Sequence, residues 1–170
     1  MKKLLFPLLI FGSTQLSAQK KACDLLDVAF INKTLGTNLI YDSNSIVNKM
    51  GKFECRYTDS KSYDKVAGVN LLEAKIYGGY DVVKGEFDTN QKDIAAGRKA
   101  VGKFTKIVIF AKNGINGFYM TAPKDTYTPE AFTFKFRKGD FVVTFFTNDI
   151  APEVSIKKLD EIFQALSSKL

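Results

Sequence analysis

The stretch from Ala131 to Asn148 constrains the fold more than any other part of the chain. It reads AFTFKFRKGDFVVTFFTN, and every second residue from Phe132 to Phe136 is phenylalanine. Such alternation is typical of a β-strand with one buried face, and it resumes after a short polar interruption. The pattern predicts a β-hairpin whose two-residue turn, Lys138-Gly139, places Arg137 opposite Asp140 as a cross-strand ion pair.

This register gives the hairpin one wholly apolar face. A slip by a single residue would scatter the aromatic side chains over both faces, so the pairing should be strongly specified. We therefore expect a core built from the pairs Phe136 with Phe141, Phe134 with Val143, and Phe132 with Phe145.

Around the hairpin, the apolar spacing predicts four more strands and three helices. The strands are predicted at 53–58, 66–77, 106–111 and 117–121, and the helices at 28–35, 80–94 and 152–170. Two Asn-Gly pairs, Asn113-Gly114 and Asn116-Gly117, compete for the turn between the third and fourth of these strands. The order α-β-β-α-β-β-β-β-α indicates an α+β fold. It has a single antiparallel sheet of about six strands, with helices packed on at least one face.

The first residues have the order of a signal peptide. A basic head, Lys2-Lys3, precedes the apolar run from Leu4 to Phe11, and Ala18 stands before Gln19 as a cleavage point. The alternative is a buried N-terminal strand or helix. We expect a signal peptide at 1–18, a single α+β domain at 19–170, and a periplasmic or secreted product. No later segment is long and apolar enough to predict a transmembrane segment.

Cys23 and Cys55 are the only cysteines of the 170 residues. Two cysteines in an exported chain predict one disulfide bond. The alternative is a redox pair or a metal site. The chain has no histidine and no C-x-x-C motif, and both observations favour the structural bridge.

The charge balance is basic. Lysine and arginine number 25 against 18 acidic residues, and loss of the signal peptide would remove two of the lysines. A modest lysine excess is typical of a solvated surface. Because no stripe of clustered arginine with aromatic residues is present, we expect no nucleic-acid partner.

The chain also resembles a known group of exported domains. Cys23-Asp24-Leu25-Leu26, then Leu35-Gly36, then Cys55-Arg56-Tyr57 are similar to the C-x-L-L … L-G … C-x-W/Y pattern of lipoprotein-type domains of unknown function. The order after Val101-Gly102-Lys103 (a strand, a hairpin and a final helix) is similar as well. The resemblance implies a PsbP-like α+β architecture and contributes no catalytic residue. This chain departs from the pattern because it has no lipid-anchored cysteine.

The sequence lacks the residues on which several common enzyme mechanisms depend. Without histidine, the common nucleophile activation by imidazole and the commonest transition-metal ligand are missing. Gly78-Gly79 has neither the lysine nor the spacing of a phosphate-binding loop. We therefore expect no catalytic residue, no metal and no cofactor. One catalytic alternative stays open, a small carboxylate-dependent hydrolase in which Glu73, Asp125, Glu130 and Asp149 converge.

The preferred interpretation is an exported, non-catalytic binding or accessory protein. Its partner would be an unidentified protein or small ligand. The predicted binding face is the side of the hairpin away from the phenylalanines, with Lys135, Arg137 and Asp140, together with the connecting loops.

Overall fold

The computed structural model describes residues 22–43, 47–48, 52–61, 64–78 and 80–170. The predicted signal peptide, 1–18, lies outside these residues. In the described chain, residues 22–25 are helical, the further helices are α1 (Val28–Leu35), α2 (Val82–Ala95), α3 (Pro152–Lys157) and α4 (Leu159–Ser167), and a 3-10 helix spans Ala74–Tyr77. The strands are β1 (Leu39–Tyr41), β2 (Val47–Asn48), β3 (Lys52–Asp59), β4 (Val66–Glu73), β5 (Lys106–Lys112), β6 (Ile115–Ala122), β7 (Ala131–Lys138) and β8 (Phe141–Asn148).

The strands form one antiparallel sheet, as the sequence predicts. Its order is β1-β3-β4-β8-β7-β6-β5, and β2 pairs with β3 beside β1. The six predicted strands are all present. Strands β1 and β2 were not predicted, because segments of three and two residues are too short to show a period.

The phenylalanine face of the hairpin carries the larger core. Phe132, Phe134 and Phe136 are fully buried, and the ring of Phe163 in α4 lies 5.2 Å from that of Phe136. Helices α1, α3 and α4 close this face of the sheet. Helix α2 packs on the opposite face, against residues such as Phe118 and Val142. The sheet is therefore covered by helices on both sides.

The register of the hairpin differs from the predicted one by two residues. Phe134 lies opposite Phe145, Arg137 lies opposite Val142, and the two-residue turn is Gly139-Asp140. Gly139 has a φ of +55°, a value that glycine adopts freely at the first turn position and lysine does not. The predicted Arg137–Asp140 pairing is therefore wrong, and so are the three predicted core pairs, since Phe136 lies opposite Val143 and not opposite Phe141. A shift of two residues keeps every side chain on its face, so the prediction of the apolar face is confirmed.

The start of the domain follows the local signals closely. The side chain of Asp27 accepts a hydrogen bond from the Phe30 amide at 2.7 Å and caps α1, which ends before Gly36 in the left-handed conformation. The predicted disulfide between Cys23 and Cys55 is present and joins the helical residues 22–25 to β3.

Two predicted elements are shorter than expected. The strand predicted to reach Tyr77 ends at Glu73, where the Ala74 amide donates to the carbonyl of Asp140 at 2.8 Å and the 3-10 helix begins. The final predicted helix is divided at Lys158. The amide of Lys158 is shared between the carbonyls of Val154 and Ser155, which tightens the backbone at that point. Among the described residues, no helix has the length and apolarity that crossing a membrane requires.

Candidate binding cleft

A cleft of about 570 Å³ opens where the first turn of α2 meets two hairpin ends. Its walls come from α2, from the β5–β6 hairpin, and from the turn between β7 and β8. These elements are brought together because α2 lies across β5, β6 and β7 on the face opposite the phenylalanine core.

The β5–β6 turn shapes one wall of this cleft. Asn113 and Gly114 occupy the turn with φ of 53° and 74°, the backbone of the hairpin turn that Asn-Gly favours. The other Asn-Gly pair, Asn116-Gly117, therefore lies within β6. There Gly117 faces the neighbouring strand so closely that a Cβ atom would lie 2.4 Å from the carbonyl oxygen of Lys135. Glycine at this position keeps β6 paired with β7, and a side chain there would point to the phenylalanine face of the sheet, where its paired residues Phe110 and Phe136 lie.

The floor is apolar. The rings of Phe87 and Phe118 lie 5.9 Å apart, and Val83 is buried beside them. Ile109, on the edge strand β5, also lines the cleft and is 65% exposed. The exposed Ile109 and the half-buried ring of Phe87 give the cleft an accessible hydrophobic surface, which is the usual lining of small-ligand sites.

The rim is polar and carries three basic side chains. Lys84 forms an ion pair with Asp88 at 2.6 Å, and this hydrogen bond raises the pKa of Lys84. The ammonium of Lys138 donates to the carbonyl of Ser167. Arg137 donates from Nε to the carbonyl of Gly139 at 3.1 Å, and within the described ranges no carboxylate pairs with it. Within those ranges no carboxylate pairs with Lys138 either, but its ammonium reaches α4 on the phenylalanine face of the sheet, so Arg137 is the rim cation that remains available to the cleft.

A second, smaller pocket of about 280 Å³ lies on the other side of α2. Asn70, Thr144 and Lys135 are aligned there across β4, β8 and β7. Lys135 is only 18% exposed and pairs with Glu86 of α2. The Oδ1 atom of Asn70 is buried and has no hydrogen-bond partner among the described residues. Tyr77 completes the lining, and burial, then the charge of Glu86, raises its pKa.

The three residues of the predicted binding face therefore lie in three different places. Arg137 lines the cleft, and Lys135 lies in the smaller pocket under α2. Asp140 is exposed in the hairpin turn, where its carbonyl accepts the Ala74 amide. The sequence did not indicate that α2 would separate the cleft with Arg137 from the pocket with Lys135.

The four carboxylates of the alternative hydrolase do not converge. Glu130 and Asp149 line a pocket of about 330 Å³, and Asp149 pairs with Lys124 at 3.1 Å. Asp125 pairs with Lys99 at 2.7 Å, and hydrogen bonds from Lys99 and then Thr128 hold its pKa well below the usual range.

Glu73 lies at the opposite end of the sheet. It pairs with Phe141, whereas Val66, at the other end of the same strand, pairs with Asn148 beside Asp149. Seven residues of strand at about 3.4 Å each separate these ends by about 24 Å. Glu73 therefore cannot act on a substrate held between Glu130 and Asp149.

Sequence reasoning missed Ile109 and Gly117 as residues of the cleft. Ile109 lies in the continuous apolar run of β5, in which periodicity does not separate exposed from buried positions. Gly117 belonged to an Asn-Gly pair that fitted a turn equally well. The signal that could have found it is an isolated glycine within a strand, which often marks close backbone approach.

No protein-family model matches the chain, and no curated protein matches it. Among solved structures, the solution structure of cyanobacterial PsbP (CyanoP) from Synechocystis sp. PCC 6803 is similar, with a TM-score of 0.38 and 10% sequence identity. The match covers 77% of this chain and 89% of that one. This likeness to a PsbP protein is weak, and membership of a family does not follow from it.

Proposed function

We propose that this protein is an exported, non-catalytic binding or accessory protein that holds a small ligand in the cleft beside α2. One observation carries the proposal: an apolar floor, with Ile109 65% exposed, lies within a concavity of about 570 Å³. Ligand sites in proteins have this size and this combination of apolar lining and few polar groups.

Two features support export. The first residues have the order of a signal peptide, and the Cys23–Cys55 disulfide suits an oxidising compartment. Intact-mass measurement of the exported product should give a chain that starts at or near Gln19. A cytoplasmic product that retains residues 1–18 would contradict export.

The absence of histidine from the sequence and the separation of Glu73 from Asp149 support a non-catalytic role. We therefore expect binding to survive the loss of any single carboxylate. Alanine variants of Glu130 and Asp149 test this directly, because these two side chains line one pocket. Complete loss of binding in either variant, with the fold intact, would point to an active site instead.

The cleft itself can be tested with N-phenyl-1-naphthylamine, an uncharged probe whose fluorescence rises in apolar surroundings. The oxidised protein should bind it, and Ile109→Glu should weaken binding by about tenfold, because the substitution places a charge on the apolar lining. Ile40→Glu is the matched control, since Ile40 is a 49% exposed isoleucine on β1, at the opposite edge of the sheet. Absence of binding, or equal losses in both variants, would refute the cleft as the site.

A further inference from the structure

We infer that the ligand of the cleft is an amphipathic carboxylate, a single apolar chain or ring system that ends in one carboxylate group. This inference rests on the proposed function, because it assigns a ligand class to the same cleft. It is carried by the position of Arg137 at the rim of an apolar floor.

The apolar part of the ligand would lie on the floor. The half-buried ring of Phe87 presents aromatic surface there, supported from below by the buried ring of Phe118, and Ile109 extends the apolar surface toward solvent. Burial of apolar ligand surface against these side chains supplies a non-directional attraction, in proportion to the area removed from water.

The charged end of the ligand would meet Arg137. Its Nε–H is held by the carbonyl of Gly139, so one edge of the guanidinium is fixed and the Nη groups remain for a ligand. A carboxylate matches a guanidinium because both groups are planar and can form two parallel hydrogen bonds.

The other charged side chains of the rim already have partners, so Arg137 is the one that we assign to the carboxylate of the ligand. Lys84 is neutralised by Asp88, and the ammonium of Lys138 is engaged by the Ser167 carbonyl. The acidic residue of the rim, Asp81, is committed to the backbone, since its carboxylate accepts the Lys84 amide at 3.1 Å and caps α2. Arg137 therefore remains available to the cleft, because its charged donors are free of a carboxylate in the described residues, and one guanidinium matches a ligand with one negative charge.

The experiment measures displacement of bound N-phenyl-1-naphthylamine by three twelve-carbon amphiphiles below their critical micelle concentrations. The probes are laurate, dodecan-1-ol and dodecyltrimethylammonium, which share the chain and differ in the charge of the head. We expect laurate to displace the probe at about one-tenth of the concentration that the alcohol needs, since a charge-assisted hydrogen bond to a guanidinium adds to the shared apolar attraction. The ammonium compound should be the weakest of the three.

Variants of Arg137 identify the residue responsible. Arg137→Gln should reduce laurate affinity by about tenfold and leave dodecan-1-ol unchanged. Arg137→Lys should retain part of the preference, because lysine keeps the charge and loses the planar fork. Arg98→Gln is the control, since Arg98 is also exposed but pairs with Asp93 away from the cleft.

Salt provides a second readout. Between about 0.01 M and about 0.15 M salt the Debye length falls from about 30 Å to about 8 Å, so laurate affinity should fall while that of the alcohol does not. If the three amphiphiles displace the probe equally, or if Arg137→Gln weakens all three alike, the carboxylate inference is wrong and the cleft remains a binding site. If neither N-phenyl-1-naphthylamine nor any amphiphile binds, the proposed function fails as well.

Discussion

Removal of the Cys23–Cys55 disulfide should be one of the most costly changes to the stability of this fold. The cysteines are 32 positions apart, so the bridge closes a long loop in the unfolded chain. In the loop-closure model, a loop of that length corresponds to about 3.7 kcal/mol of stabilisation at 25 °C. Because Cys55 is fully buried, its replacement by alanine adds a smaller packing loss.

The double variant Cys23→Ala/Cys55→Ala should therefore unfold at a midpoint about 7–15 °C below that of the wild type, at about 2–4 °C per kcal/mol for a domain of this size. Circular dichroism during heating and during urea titration measures the loss. Wild-type protein reduced with a thiol-free reductant should behave like the double variant, which separates the effect of the bond from that of the substitutions.

The reasoning would be refuted by a double variant within about 1 kcal/mol of the oxidised wild type, because the loop-closure term would then be absent. Thiol titration provides an independent check on the starting material. Denatured, unreduced protein should contain no reactive thiol.

Four further substitutions test three individual features. Gly114→Ala, at a φ of +74°, should cost about 1–2 kcal/mol in urea unfolding, whereas Gly117→Ala should cost at least about 3 kcal/mol, because its Cβ would meet the carbonyl of Lys135. Burial, then the charge of Asp27, raises the pKa of Tyr57 to about 12 from 10.0, so absorbance titration should find a late-ionising phenol that Tyr57→Phe removes. The stability from this phenol is complete below about pH 10 and is lost as the pH rises toward 12, since the unfolded chain releases the proton first. Asn70→Leu should leave the free energy of unfolding unchanged or raise it by up to about 1 kcal/mol, because it removes a buried oxygen that has no hydrogen-bond partner in the described part of the chain.

Each of these expectations has a contradicting result. Equal losses for the two glycine variants would mean that the close approach of β6 and β7 is relaxed at little cost. Ionisation of every tyrosine in one step near pH 10 would remove the basis of the predicted pH dependence. A loss of more than about 2 kcal/mol in Asn70→Leu would mean that the amide holds a bound group in the smaller pocket.

Local sequence signals account for much of the fold. The side chain of Asp27 and the glycine at 36 define α1 at both ends, because a capping oxygen and a left-handed residue act within one turn of helix. The alternation of phenylalanines determines which face of β7 is buried, since the strand period is two residues. The cysteine count in a chain with a predicted signal peptide was enough to predict the disulfide.

Other features depended on contacts between distant segments. The register of the β7–β8 hairpin shifted by two residues without moving any side chain to the other face, so the apolar pattern alone could not fix it. The end of β4 at Glu73 depends on the hydrogen bond between Ala74 and Asp140, which are far apart in sequence. Strands β1 and β2 are formed through pairing with β3 and have too few residues to show a pattern of their own.

In the candidate site, too, some features followed from the local sequence and others only from the tertiary structure. From the sequence, Lys135 and Arg137 share a strand and a face, and nothing distinguishes one from the other. The position of α2 across the sheet pairs Lys135 with Glu86 in one pocket and leaves Arg137 at the rim of the cleft. Strand alternation assigned both residues to one face because it is a short-range property of the backbone. The covering of that face was decided only by the tertiary packing of a helix from a distant part of the chain.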